Sequence, residues 1–135
     1  MPEIHPLVVH FPIALLSSAI FFDFIYILSG RNELSKTGWW VLFLGLVSAV
    51  VGMATGIWND RLFGHLGAVT PLWINHGWVQ IFSSFIFICL FSWRTKCPNI
   101  LNITPSKWGY LFIGTLAVAI LFYGGHLGAK LAGRI

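Results

Sequence analysis

Residues 7–28 read LVVHFPIALLSSAIFFDFIYIL. A helix of about 20 mostly apolar residues crosses a hydrocarbon core of about 30 Å. This stretch of 22 residues carries one acid, Asp23, and no Lys or Arg. It predicts a membrane span, closed by Ser29-Gly30-Arg31-Asn32-Glu33. Outward from it, three more stretches of the same kind follow, at about 38–58, 72–93 and 107–129. Asn59-Asp60-Arg61 ends the second, Pro71 and Arg94 bound the third, and Thr104-Pro105-Ser106 and Lys130 bound the fourth. Gly, Pro and polar residues at the boundaries mark helix ends. The expected fold is all-α, a single four-span membrane domain over 1–135 built as an up-down-up-down four-helix bundle.

Composition agrees. Of 135 residues, 57% are hydrophobic and 9% charged, where a soluble domain carries roughly 25% charged residues. That excludes a soluble monomer, and the high hydrophobicity excludes a disordered chain. The +4 net charge does not point to nucleic acid, because the cations are scattered and form no stripe. Cys89 lies in an apolar run and Cys97 before Pro98, a poor disulfide pair. No C-x-x-C-H is present for covalent haem attachment. The opening does not read as a cleaved leader, with Glu3, His5 and His10 where an apolar centre should begin.

Trp39, Trp40, Trp58, Trp73, Trp78, Trp93, Trp108 and Tyr110 fall near the span ends, as expected of an aromatic belt at the headgroups. With four alternating spans, the start of the first, the 2–3 connection, the start of the third and the end of the fourth share one side of the membrane. The other side carries Arg31, Lys36, Arg94, Lys96 and Lys107, against Arg61, Lys130 and Arg134. Cytoplasmic segments collect Lys and Arg, so the expectation is both termini outside.

The same connectivity gathers the histidines. His5 and His10 open the first span, His65 lies in the 2–3 connection, His76 begins the third span and His126 ends the fourth. All five are expected on the side of the termini. If the first span begins near Pro6 and the third near Leu72, His10 and His76 each lie about 6 Å along their helix axes. First and third helices are diagonal in a simple bundle, so these two imidazoles could cap one iron from both faces of a porphyrin.

On the third span, His76 shares a stripe with Gln80, Ser83 and Ser84. On the first, His10 shares one with Ala14, Ser17 and Phe21. Polar residues inside a membrane usually face protein. Gly45, Ser48, Gly52, Gly56 and Asn59 on the second span, and Gly114, Gly124, Gly125 and Gly128 on the fourth, allow close approach or leave room beside a flat ligand. Pro12 either kinks the first span next to His10 or simply starts the helix. Asp23, about 20 Å from His10 along the axis, is expected to bond Lys36 or Arg31. Asp60 is placed to accept a hydrogen bond from a ligating imidazole.

The expected function is haem b binding for one-electron transfer, through His10 and His76 as the axial pair, with His126 and His5 as further ligands and Gly52, Gly56 and Gly125 beside the ring. Imidazoles at both axial positions suit low-spin iron. Quinone or a redox protein would be the partner. Two alternatives stand beside it. Zn or Cu could bind the same cluster of His5, His10, His65, His76 and His126, since imidazole suits both metals. A non-catalytic assembly subunit would use the histidines only for bonds between helices. No acid–base constellation points to a hydrolase, so an electron carrier is expected rather than a hydrolytic or transferase enzyme. A homo-oligomer is compatible with the large lipid-facing surface of four spans.

The segment IHPLVVHFPIAL resembles the signature of a family of small bacterial membrane proteins, domain of unknown function 2231. Its members share H-P-x-x-x-H-F-P-I at the first of four spans, a His at the start of the third and a Gly-Gly pair late in the fourth. Here these are His5-Pro6, His10-Phe11-Pro12-Ile13, His76 and Gly124-Gly125. The resemblance covers nearly the whole chain. It implies a location in the bacterial inner membrane, and the joining of this domain to Rieske-type iron–sulfur domains in the family implies a Rieske-type or cytochrome partner. His126 departs from the apolar residue expected after the Gly pair.

Overall fold

The computed structural model describes residues 8–59, 71–131 and 133. Four long helices, α1 (His10–Ser29), α2 (Asn32–Asn59), α3 (His76–Lys96) and α4 (Ser106–Leu131), account for most of them, with a short 3-10 turn at Leu72–Ile74 ahead of α3. All four are long and apolar enough to cross a membrane. The protein is an integral membrane protein, and its apolar exterior is a surface for lipid. Neighbours follow chain order around the bundle: α1 lies beside α2 and α4, and α3 beside α2 and α4. The first and third helices are therefore diagonal, as the connectivity predicts.

The turn from α1 to α2 is shorter than the sequence implies. Gly30 adopts a left-handed φ of 69° and its N–H bonds the Tyr26 carbonyl, closing α1 as glycine does at a helix end. The next helix starts at Asn32, six residues before the apolar stretch at 38. Helix and hydrophobic span are different quantities: the first turns of α2 are mostly polar and helical. The opposite correction applies to α3. Its apolar stretch begins at Leu72, but the helix begins at His76, with the Asn75 side chain accepting from the Trp78 N–H as its N-cap.

The interior is filled by Leu16, Ala19, Ile20, Leu42, Phe87, Leu90, Ala117 and Leu121. Small residues set the helix spacing. A Cβ on Gly45 would come within 2.7 Å of Leu16 Cδ2 and 3.2 Å of the Leu16 backbone nitrogen, and one on Gly114 within 2.6 Å of Ile20 Cδ1. The Ser17 hydroxyl bonds the Ile13 carbonyl of its own helix, and that of Ser83 bonds the Ala117 carbonyl of α4 at 2.9 Å. Most of the tryptophans stand outside: Trp40, Trp58, Trp73, Trp78 and Trp108 are all exposed. Tyr110 is the exception to the expected belt. It is fully buried, because its hydroxyl is drawn inward to Asp23 at 2.8 Å.

Candidate functional site

His10 and His76 are each the first residue of a helix, α1 and α3. Both therefore sit at a helix start rather than one turn deep. Pro12 is the third residue of α1, inside the first turn, where its missing N–H would have no helical partner anyway. It is buried and faces Gly52, whose added Cβ would lie 3.9 Å from the proline ring. Pro12 thus starts the helix and packs on α2.

His76 is held against α4. Its Nδ1 lies 2.6 Å from the Gly124 carbonyl oxygen of α4. The ring rests in a notch on α4, where a Cβ on Gly128 would come within 2.7 Å of its Cε1 and 3.1 Å of its Nε2. Gln80, one turn further along, lies against Gly124, whose Cβ would meet the amide carbon at 3.0 Å. The stripe expected on α3 is therefore real: His76 and Gln80 face α4, and Ser83 and Ser84 are buried. A carbonyl oxygen can only accept, so Nδ1 carries the proton and the Nε2 lone pair is directed away from this bond. Imidazoles that ligate metal through Nε2 are oriented this way.

The stripe expected on α1 is not inward. His10, Ala14 and Phe21 are exposed and Ser17 is half-buried, whereas the buried face of α1 is Pro12, Leu16, Ala19, Ile20, Asp23 and Tyr26. His10 heads the outer face because Pro12, two residues on, takes the contact with α2. His126, near the end of α4, is also exposed. It follows Gly125, whose Cβ would touch Ile13 Cδ1 at 3.3 Å, so the start of α1 lies against the end of α4. The contacts of Pro12 with Gly52, Ile13 with Gly125 and His76 with Gly124 place His10, His76 and His126 at one end of the bundle. His5, His65 and Asp60 lie outside the described residues.

Neighbours reach the glycines of this end to different degrees: the His76 ring fills the space at Gly128, Ile13 is tight against Gly125, and Pro12 is only in ordinary contact with Gly52. Gly56 is half-buried on α2. Among the described residues no group of three or more His, Cys, Asp or Glu comes together as a metal centre. A groove of about 700 Å³ runs along the α1–α4 seam, with Ser17, Phe21, Phe24, Trp108, Phe112 and Thr115 among its lining. No histidine lines it.

The polar group that residue order did not reveal is at the other end. Asp23 bonds neither Lys36 nor Arg31. It takes Nη1 of Arg94 at 2.6 Å and the Tyr110 hydroxyl at 2.8 Å. Arg94 was expected to punctuate the end of the third span. Its long side chain instead turns back into the bundle and is 5% exposed. The available signal was the acid itself: a carboxylate within a span needs a cation at its own depth, and Arg94 and Tyr110 belong to that end.

A family model described as "Predicted membrane protein (DUF2231)" matches residues 2–135. The chain belongs to this family. The match takes in all four DUF2231 helices and the motif His5-Pro6 to Ile13. Comparisons with curated proteins and with solved structures find no match.

Proposed function

We propose that this DUF2231 protein is a membrane one-electron carrier that holds haem b at the histidine end of the bundle, with His76 as one axial ligand. The observation that supports it is the Nδ1 contact of His76 with the Gly124 carbonyl at 2.6 Å. It fixes the tautomer and ring orientation in the manner of iron- and zinc-bound imidazoles. His10, first on the diagonal helix, is the first choice for the opposite ligand. His126, on the adjoining end of α4, is the second. Bound iron would supply a one-electron couple, which the aromatic and aliphatic side chains of the bundle lack. The protein's own part is to orient His76 and to present an apolar surface to the macrocycle. A quinone or a Rieske-type or cytochrome protein is the proposed partner, and the bacterial inner membrane the proposed location.

The same contact also favours a second reading, in which His76 is an interhelical bond of an assembly subunit and carries no ligand. An absorption spectrum of the purified protein before and after dithionite separates them. A Soret band that shifts on reduction is expected. Colourless protein with stoichiometric Zn or Cu would replace haem by a bare metal, and colourless, metal-free protein would leave the interhelical role.

A further inference from the structure

Asp23, Arg94 and Tyr110 are 0%, 5% and 0% exposed, and the histidine site makes no use of them. Nη1 of Arg94 donates to both carboxylate oxygens of Asp23 at 2.6 Å. Its Nη2 donates to the Ser35 carbonyl at 2.6 Å and lies 3.3 Å from the Ser35 hydroxyl. The Tyr110 hydroxyl donates to Asp23 Oδ2 at 2.8 Å. One residue comes from each helix. Asp23 and Ser35 belong to the α1–α2 hairpin, Arg94 and Tyr110 to the α3–α4 hairpin, so every one of these bonds crosses from one hairpin to the other.

Two further crossings lie at the same end: Tyr26 donates to Asn102 at 2.6 Å, and Trp39 Nε1 to the Thr95 hydroxyl at 3.2 Å. Within each hairpin no ion pair joins the helices among the described residues; they meet by close approach at glycine and, in the second, also through the Ser83–Ala117 and His76–Gly124 hydrogen bonds. Gly45 meets Leu16 in the first, and Gly124 meets Val79 and Gln80 in the second.

We propose that the Asp23–Arg94 pair, with Tyr110 and Ser35, is an intramembrane fastening that locks two separately packed hairpins into one bundle. Apart, the first hairpin carries a carboxylate and the second a guanidinium inside the hydrocarbon, each costly there. Docked, each is the counter-ion of the other, and the remaining donors and acceptors are satisfied. Gly38 is part of the device. A Cβ on it would collide with Asp23 Oδ1 and come within 3.4 Å of Arg94 Nη1, so a bare backbone is what lets α2 lie over the pair.

Full-length variants in detergent test this by thermal unfolding and by pulsed-EPR distances between labels at Leu28 and Asn99, in a Cys89→Ala/Cys97→Ala background. Removing one member of a buried pair strands the other, whereas removing both is far milder. Asp23→Asn and Arg94→Gln are each expected to lower the midpoint by about 10 °C and broaden the distance between hairpins. The double variant, whose two amides can bond each other, is expected to regain most of the loss. Gly38→Ala should resemble the single variants, and Tyr110→Phe should cost a few degrees with the distance unchanged. A double variant as unstable as the two losses combined would overturn the proposal. So would single variants with wild-type midpoint and distance. If neither single variant accumulates folded, the double decides: its accumulation supports the fastening and its absence overturns it.

Discussion

At the residue scale, His76 and His10 differ in what holds them. His76 is braced by the Gly124 carbonyl and the Gly128 notch, while His10 heads the exposed face of α1. His76→Ala is therefore expected to remove most bound haem while helical content persists, measured as the Soret-to-protein absorbance ratio beside circular dichroism. His10→Ala should do the same if it is the opposite ligand, and His65→Ala should change little, because water can replace a loop imidazole. Loss of haem in His126→Ala but not His10→Ala would move the second ligand to α4, and full retention in both the His10 and His76 variants would end the axial-pair proposal. Gly128→Val gives a separate check: its added carbons occupy the ring's place, so it should weaken haem retention without touching a ligand. The stripe of His76, Gln80, Ser83 and Ser84 was legible in the sequence because four polar residues at helical spacing inside a span have few places to go. The outward turn of His10 was not, because Ala14, Ser17 and Phe21 fit either face and the deciding contact is that of Pro12 with α2.

At the scale of elements, hydropathy finds spans and misses helix ends. Residues 32–37 are polar apart from Leu34, yet they extend α2, whose 28 residues span about 42 Å at 1.5 Å per residue. That exceeds a hydrocarbon core of about 30 Å, so a polar helical end belongs in the headgroups. At α3 the reverse holds, because Leu72–Ile74 are apolar but form a 3-10 turn, and Asn75 sets the true start. Asn75→Ala removes the bond to the Trp78 N–H at 3.3 Å and should cost about 1 kcal/mol in unfolding free energy. Since His76 is the next residue, haem affinity should fall with it. The α1–α2 contact offers a second test. A Cβ on Gly45 meets the Leu16 backbone as well as its side chain, and backbone cannot rotate away. Gly45→Ala is expected to destabilise by about 1–3 kcal/mol, read as a lower midpoint in detergent, while Gly109→Ala, with nothing within 4 Å, should be neutral or slightly stabilising.

At the scale of the whole molecule, the two ends of the bundle have different chemistry, and the membrane decides which faces the cytoplasm. One end holds His10, His76 and His126; the other holds the buried Asp23–Arg94 pair and the cations Arg31, Lys36, Lys96 and Lys107. In the folded protein Arg94 is neutralised by Asp23. The charge bias acts during insertion, before the hairpins dock, and at that stage Arg94 still counts. Five cations then stand against Arg61, Lys130 and Arg134, so both termini are expected outside. Reporter fusions at Ile135 and next to Lys36 measure this directly, with a periplasmic signal expected at the first and a cytoplasmic one at the second. Arg94→Gln with Lys96→Gln leaves three cations on each side and should mix the two orientations, which would show that these residues set the topology. A cytoplasmic signal from Ile135 in the unaltered chain would turn the molecule over. The histidine end would then face the cytoplasm, and the proposed redox partner would have to be sought there rather than on the outer side of the membrane.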